Sequence, residues 1–373
     1  MTEVRGLEDV VAADSGICYI DGDKGVLSYR GIDIHELSAK SSFEEVCFLL
    51  WERRLPRKEE LEALRTEIGR GRVLPSRTLE LLATLARHLS PMDALRTVVS
   101  ALVETDPDGA SMSAAANRRK AVRLTGQLGT IVAGLHRIRQ DKVVVAADPG
   151  RTHADDFLRM LSGETERSAA IRALDIALVL HADHELNAST FAARVTASTL
   201  ADMHAAITSA VATLKGPLHG GANESVMNML LEIGSLDRVD DVVRGRLARK
   251  EKIMGFGHRV YTTEDPRATR LREMSREVAE SSGDTRWYDI SRRIEQIVKE
   301  EKRLNANVDF YSASLYHVLG IPSDLFTPIF AVSRIAGWTA HVLEQYANNR
   351  LIRPRAEYTG PPYPQPYVPM GER

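Results

Sequence analysis

The chain has 373 residues, 43% of them hydrophobic and 27% charged, which suits a soluble protein with a large core and room for about two domains. Lys and Arg (49) nearly balance Asp and Glu (51), so the formal charge is -2 and no bulk basic field speaks for nucleic acid or an anionic membrane; a cationic site has to be local. The two cysteines, Cys18 and Cys47, make neither a disulfide framework nor a zinc spacing and fit a reducing cytoplasm. The opening "MTEVRGLEDVVAADSG" lacks the apolar segment of a signal peptide, and no apolar run approaches the ~20 residues of a membrane span.

In chain order, "GICYIDGDKGVLSYRG" (16–31) comes first, with apolar runs on either side of Asp-Gly-Asp-Lys-Gly, and predicts a β-hairpin. Helical periodicity then takes over. "SFEEVCFLLWERRLP" sets Phe43, Val46, Leu49 and Leu50 on one face, with Pro56 as the stop. "LELLATLARHL", "MDALRTVVSALVETD" and "RKAVRLTGQLGTIVAGLHRIR" repeat the pattern, and the Ala-, Leu- and Val-rich stretch 169–214 reads as helix buried on nearly all faces. "GANESVMNMLLEIGS", "DISRRIEQIVKEEKR" and "PIFAVSRIAGWTAHVLEQYANN" continue it. From Arg353 the Pro- and Tyr-rich tail should run extended. The expected fold is mostly α with a small N-terminal β-hairpin, in two domains: residues 1–219 with 326–373, and 220–325.

Chemistry concentrates at three corners. His219 stands in "KGPLHGGANE" between a proline turn and a Gly-Gly pair, before a helix; His258 stands in "MGFGHRVY", after glycine; Asp309 stands in "NANVDFYSAS" between apolar neighbours. Asp309 has an alternative reading as N-cap of the helix that follows. The positive end of the helix after His219 should keep that imidazole neutral, able to donate one hydrogen bond to a developing enolate. The other histidines (His35, His88, His136, His153, His204, His317, His341) read as surface or structural residues without polar company. "HADHELNAST" places His181 and His184 three apart, with Asp183 or Glu185 as a third metal ligand, but lacks the H-E-x-x-H spacing. The Gly-x-Gly of "MGFGH" lacks the preceding strand and third glycine of a dinucleotide motif. Arg267 in "EDPRA", Arg334 in "IFAVSRIAGW" and Arg353 in "LIRPRAE" interrupt apolar or turn-forming sequence; Arg334 should be buried and need an anion, whether a substrate carboxylate or an internal partner.

"KGPLHGGANE", "MGFGHRVY…DPRA", "NVDFYSA" and "RPRAEYTGP", together with the hairpin and "HADHELNASTFAARV", stand in an order and spacing that resembles the citrate synthase family across nearly the whole chain. The resemblance implies a helical homodimer that closes two domains over its substrates, an acyltransferase of the tricarboxylic acid cycle joining acetyl-CoA to oxaloacetate and hydrolysing the thioester. It implies Asp309 as the base toward the acetyl methyl, His219 as donor to the enol(ate), and His258 as the group that polarises the ketone and protonates the alkoxide. His184, Arg267, Arg334 and Arg353 are the implied oxaloacetate ligands beside His219 and His258, with Arg353 reaching in from the partner subunit. Met254, Gly255, Phe256, Gly257, Arg259 and Asn307 are the implied CoA contacts. No metal or redox cofactor, nucleic acid or membrane is implied, and the location is cytoplasmic. Many bacterial members have lysine where this chain has Thr262, which leaves a CoA phosphate contact to Arg259 or the "KEEKR" run. The short start before the hairpin implies a dimer without NADH control. Rival readings are a 2-methylcitrate synthase using propionyl-CoA, a metal-dependent hydrolase on His181, His184 and Asp183, and a helical scaffold without activity.

Overall fold

The alternating residues near the start pair as the hairpin pattern predicts. Strand β1 (Cys18–Asp21) runs antiparallel to β2 (Val26–Tyr29), with Cys18 opposite Tyr29 and Ile20 opposite Leu27. A third strand of two residues, β3 (Ile32–Asp33), extends the hairpin to a small sheet of order β1-β2-β3. The structure, a computed structural model, describes Gly6 and residues 10–165 and 168–373; part of the segment read against a signal peptide lies outside them.

Sixteen α-helices occur among the described residues. The helix Phe43–Glu52 buries Phe43, Val46, Leu49 and Leu50 as its spacing requires, but it ends before Pro56: Arg53 turns left-handed at φ 63° and its N–H caps Leu49 O. The stretch 169–214 is three helices, Ser168–His181, Ala188–Ser198 and Met203–Leu214, broken by short turns. Enclosure on nearly all faces belongs still more to Phe326–Ala347, which packs against Ala114–Arg139, Ala188–Ser198, Met203–Leu214 and Phe43–Glu52. Polar residues in such a helix have to find partners within the protein, and this helix carries Arg334 and His341.

A second group of helices, Ala222–Ile233, Pro266–Ser282, Arg286–Lys302 and Val308–Val318, packs largely on itself, while Pro266–Ser282 also touches Ile34–Lys40 and Ser168–His181. The hairpin tip rests on the loop before Pro266: Gly22 O accepts the Thr262 N–H at 3.1 Å. Residues 353–373 are exposed throughout, extended apart from a 3-10 turn at Met370–Glu372, as their composition predicts. Cys47 is buried, Cys18 is half-buried, and both are free thiols whose pKa burial raises. No helix of the described residues is long and apolar enough to cross a membrane.

Candidate active site

His184 is presented by the turn between Ser168–His181 and Ala188–Ser198. Its Nε2 lies 3.1 Å from Tyr261 Oη, and its ring stands edge-on to His258 with centroids 5.4 Å apart. The buried Tyr29 of β2 anchors the turn: its hydroxyl accepts the Asp183 N–H at 3.2 Å and donates to Asp183 O at 3.0 Å. On the other side the turn meets Phe326–Ala347 so closely that position 337 has no room for a side chain. A Cβ there would lie 2.3 Å from Asp183 Oδ1 and 2.4 Å from Ala182 O. Burial, then the charge of Arg267, with Arg334 adding, holds the His184 pKa well below the usual imidazole range.

His219 follows the exit of Met203–Leu214. Gly220 donates its N–H to Leu214 O at 3.0 Å, and a Cβ on Gly220 would sit 2.4 Å from that oxygen, so this glycine serves the tight turn. The His219 Nε2 accepts the Ser189 N–H at 3.3 Å and lies 2.8 Å from Ser189 Oγ. A backbone N–H aimed at Nε2 requires a lone pair there, which leaves the proton on Nδ1. The sequence attributes neutrality to the helix that His219 precedes. The structure supplies it from a different helix, because Ser189 is the second residue of Ala188–Ser198, capped by Asn187. Burial, with Arg334 adding, lowers the His219 pKa to about 4.

His258 is fixed in the opposite sense. Its Nδ1 accepts the N–H groups of Val260 at 3.0 Å and Tyr261 at 3.3 Å, so its proton is on Nε2. Burial, then Arg267, lowers its pKa to about 4. Both imidazoles are therefore neutral donors at neutral pH, each with a defined N–H.

Asp265, which nothing in the local sequence singles out, organises the next element. It caps Pro266–Ser282: its Oδ1 accepts the N–H and Nε of Arg267 at 3.0 Å each, and its Oδ2 accepts Arg267 Nη2 at 2.8 Å and the Val308 N–H at 3.2 Å. Burial opposes the Arg267 charge, but Asp265 outweighs it and raises the pKa. The Val308 bond sets the start of Val308–Val318. Its cap is Asn307, whose Oδ1 accepts the Asp309 N–H at 3.0 Å, so the capping role considered for Asp309 falls to Asn307. The Asp309 carboxylate makes no hydrogen bond or ion pair among the described residues. Burial, opposed by Arg267 and Arg334 and reinforced by Asp265, raises its pKa to about 6.

Arg334 is 1% exposed. Its Nε donates to His181 O at 2.7 Å and its guanidinium lies over the Phe330 ring at 4.6 Å. No carboxylate of the described residues pairs with it directly, and burial lowers its pKa to about 10. The metal set read at 181–185 disperses: His181 Nδ1 donates to Ala177 O at 2.8 Å, Asp183 faces His341, and His184 faces Tyr261. Phe330 links Arg334 to His219, whose ring is also packed against it, centroids 6.4 Å apart. Arg334 acts electrostatically on His184, His219 and Asp309, and Arg267 on His184, His258 and Asp309; groups of these types suit proton abstraction and carbonyl polarisation on a substrate carrying negative charge.

A model of the citrate synthase C-terminal domain matches residues 6–355. "Citrate synthase 2" of Bacillus subtilis is 51% identical over 374 residues, covering 100% of both chains. The crystal structure of the Pyrobaculum aerophilum citrate synthase superposes with a TM-score of 0.91 at 41% identity, over 99% of this chain and 95% of that one. The Thermoplasma acidophilum citrate synthase, solved as a ternary complex with carboxymethyl coenzyme A and oxaloacetate, gives 0.92 at 32% identity over 100% of each. The chain belongs to the citrate synthase family. Proteins named 2-methylcitrate synthase also match, one from Shewanella oneidensis at 40% identity over 99% of this chain and 97% of its own.

Of the CoA contacts that resemblance to the citrate synthase family implies, Met254–Gly257 lie beside Asn305–Asn307. Gly257 N–H donates to Asn305 O at 3.0 Å, Asn307 N–H to Gly255 O at 2.9 Å, and Asn307 Nδ2 to Gly257 O at 2.9 Å. Asn307 therefore joins the loop that presents His258 to the start of the helix that carries Asp309. Arg259 is exposed. Thr262 donates its hydroxyl to Asp23 Oδ1 at 2.8 Å on the hairpin tip. Arg353 stands apart from the cluster, exposed, where it lines a cavity of about 490 Å³ with Val10, Asp14, Arg194, Glu344 and Arg350.

Proposed function

We propose that this chain condenses the acetyl group of acetyl-CoA with oxaloacetate and hydrolyses the resulting thioester to citrate and CoA. The observation that carries this reading is Arg334: a core guanidinium with no carboxylate partner among the described residues, whose charge acts on the neutral His219 and His184 and on Asp309, a carboxylate of raised pKa.

Asp309 removes a proton from the acetyl methyl while the electron pair moves onto the thioester oxygen, held by the Nδ1–H of His219. The enolate carbon bonds to the ketone carbon of oxaloacetate as the thioester C=O reforms, and the ketone oxygen takes the C=O electron pair and the Nε2 proton of His258, which solvent then replaces. Water then adds to the thioester carbonyl and CoA departs as the thiol. A methyl next to a thioester is a very weak acid, so base and oxygen donor have to act together. Arg334, Arg267, His184 and the partner's Arg353 hold the two carboxylates of oxaloacetate; no step calls for a metal or redox group. Residues 220–325 form the small domain, which closes on the rest of the chain once oxaloacetate bridges His258 and Arg267 to Arg334 and His184. The protein works as a homodimer, in the cytoplasm to which its free thiols are suited.

The relatives named 2-methylcitrate synthase favour a second reading with propionyl-CoA as donor. One methylene changes selectivity by roughly 10–200-fold in a packed pocket. Thiol release followed with a chromogenic disulfide, with oxaloacetate saturating, should give kcat/KM at least ~10-fold higher for acetyl-CoA than for propionyl-CoA. The reverse order assigns the second reading, and no release from either contradicts both.

A further inference from the structure

His341 reads from the sequence as an apolar-helix histidine without polar company. The structure corrects this. It is fully buried, and its Nε2 straddles the Asp183 carboxylate, 3.4 Å from Oδ2 and 3.3 Å from Oδ1, with hydrogen-bond geometry toward the former. On the other side of the ring, Arg194 Nη1 donates to Nδ1 at 3.2 Å, which leaves the imidazole proton on Nε2, pointing at Asp183. Arg194 is itself held by Gln345 Oε1 at 3.0 Å and Glu344 Oε2 at 2.9 Å, so the ring is braced from both sides.

The arrangement follows the helix period. Along one face of Phe326–Ala347, residues 334, 337 and 341 engage consecutive residues of the turn that bears His184: Arg334 Nε donates to His181 O at 2.7 Å, Gly337 N–H to Ala182 O at 3.0 Å, and His341 Nε2–H to the Asp183 side chain. Asp183 Oδ2 in turn accepts the N–H of Glu185, whose backbone is left-handed at φ 53°. The carboxylate thus holds a strained residue immediately after His184. Without its donor, Asp183 would be a fully buried charge missing one of its partners, and the turn would lose the one helix contact here that is made to the Asp183 side chain.

We propose that His341 is a positioning residue for substrate binding: acting through Asp183, it fixes the turn that aims His184 at the oxaloacetate carboxylates. The proposal rests on the reading of the site given under Proposed function. A group that orients a ligand for both bound substrate and transition state shows itself in KM more than in kcat.

Two substitutions separate the ring nitrogens. His341→Gln retains a donor at the Nε2 position facing Asp183, whereas His341→Asn retains only a group at the Nδ1 position facing Arg194. With acetyl-CoA saturating, H341N should raise the oxaloacetate KM about tenfold or more while kcat falls less than about threefold, and H341Q should stay within about threefold of wild type in both. Loss of packing alone would lower the melting temperature of both variants without splitting their KM values. An unchanged KM in H341N, or equal increases in both variants, overturns the proposal. If H341N does not fold, H341Q decides: a tenfold rise in KM despite the retained donor overturns it, and a KM within threefold upholds it. An inactive wild type removes the functional reading and this proposal with it; an active wild type with an unaffected H341N removes the proposal alone.

Discussion

Asp309→Asn should lower kcat at least ~100-fold, the usual magnitude of a general-base contribution, with the oxaloacetate KM within about threefold of wild type. Asparagine keeps the shape but cannot take a proton. The side chain holds no hydrogen bond or ion pair among the described residues, so its loss breaks no contact there, and its pKa near 6 means that burial already works against the charge. The variant should therefore fold at least as well as wild type, which separates a catalytic loss from a structural one. The same pKa sets the acid limb of the wild-type profile. The base works only when deprotonated, so kcat should fall as pH drops through about 6. His219 and His258, neutral down to about pH 4, do not produce that limb. Near-normal turnover in the asparagine variant would reassign the base.

Arg353→Ala should raise the oxaloacetate KM at least ~30-fold, the effect of removing one partner from a charged pair buried between subunits. An exposed arginine beside an extended tail would ordinarily matter little, and in its own chain Arg353 lines a cavity that contains none of His184, His219, His258, Arg267, Asp309 or Arg334. The effect follows only if the tail crosses to a second copy. Refolding Asp309→Asn chains together with Arg353→Ala chains tests the crossing. Random pairing makes about half the dimers mixed, and each mixed dimer has one site with both defects and one with neither, so about a quarter of all sites should regain full activity. If refolding controls succeed and no activity returns, Arg353 acts within its own chain.

The residues legible in the sequence were those whose local setting is itself unusual. His219 and His258 stand out because glycine and turn residues surround an imidazole, and Arg334 because a guanidinium within "IFAVSRIAGW" has to be buried. What the sequence hid was the partner of each group. The tautomer of His219 is set by Ser189, 30 residues away, and the tip of the hairpin meets Thr262 across 239 residues. His341 passed as structural because Asp183 and Arg194 come from a turn and a helix about 150 residues earlier, and periodicity along one helix says nothing of such contacts. Closer in sequence, the same local role is open to several residues. Asn307, two positions before Asp309, takes the cap, and Arg53 ends its helix in the left-handed region before Pro56 can.

The proposed chemistry depends most on two neutral imidazoles carrying their protons on opposite nitrogens, and side-chain ¹⁵N spectra of histidine-labelled protein at pH 7 measure this directly. His219 and His258 can be assigned by single His→Gln variants. His219 should show a protonated Nδ1 with an unprotonated Nε2, and His258 the reverse, with neither becoming cationic until the pH approaches about 4. A cationic ring at pH 7, or the same tautomer at both positions, would contradict the assignment of His219 to the enolate oxygen and His258 to the ketone.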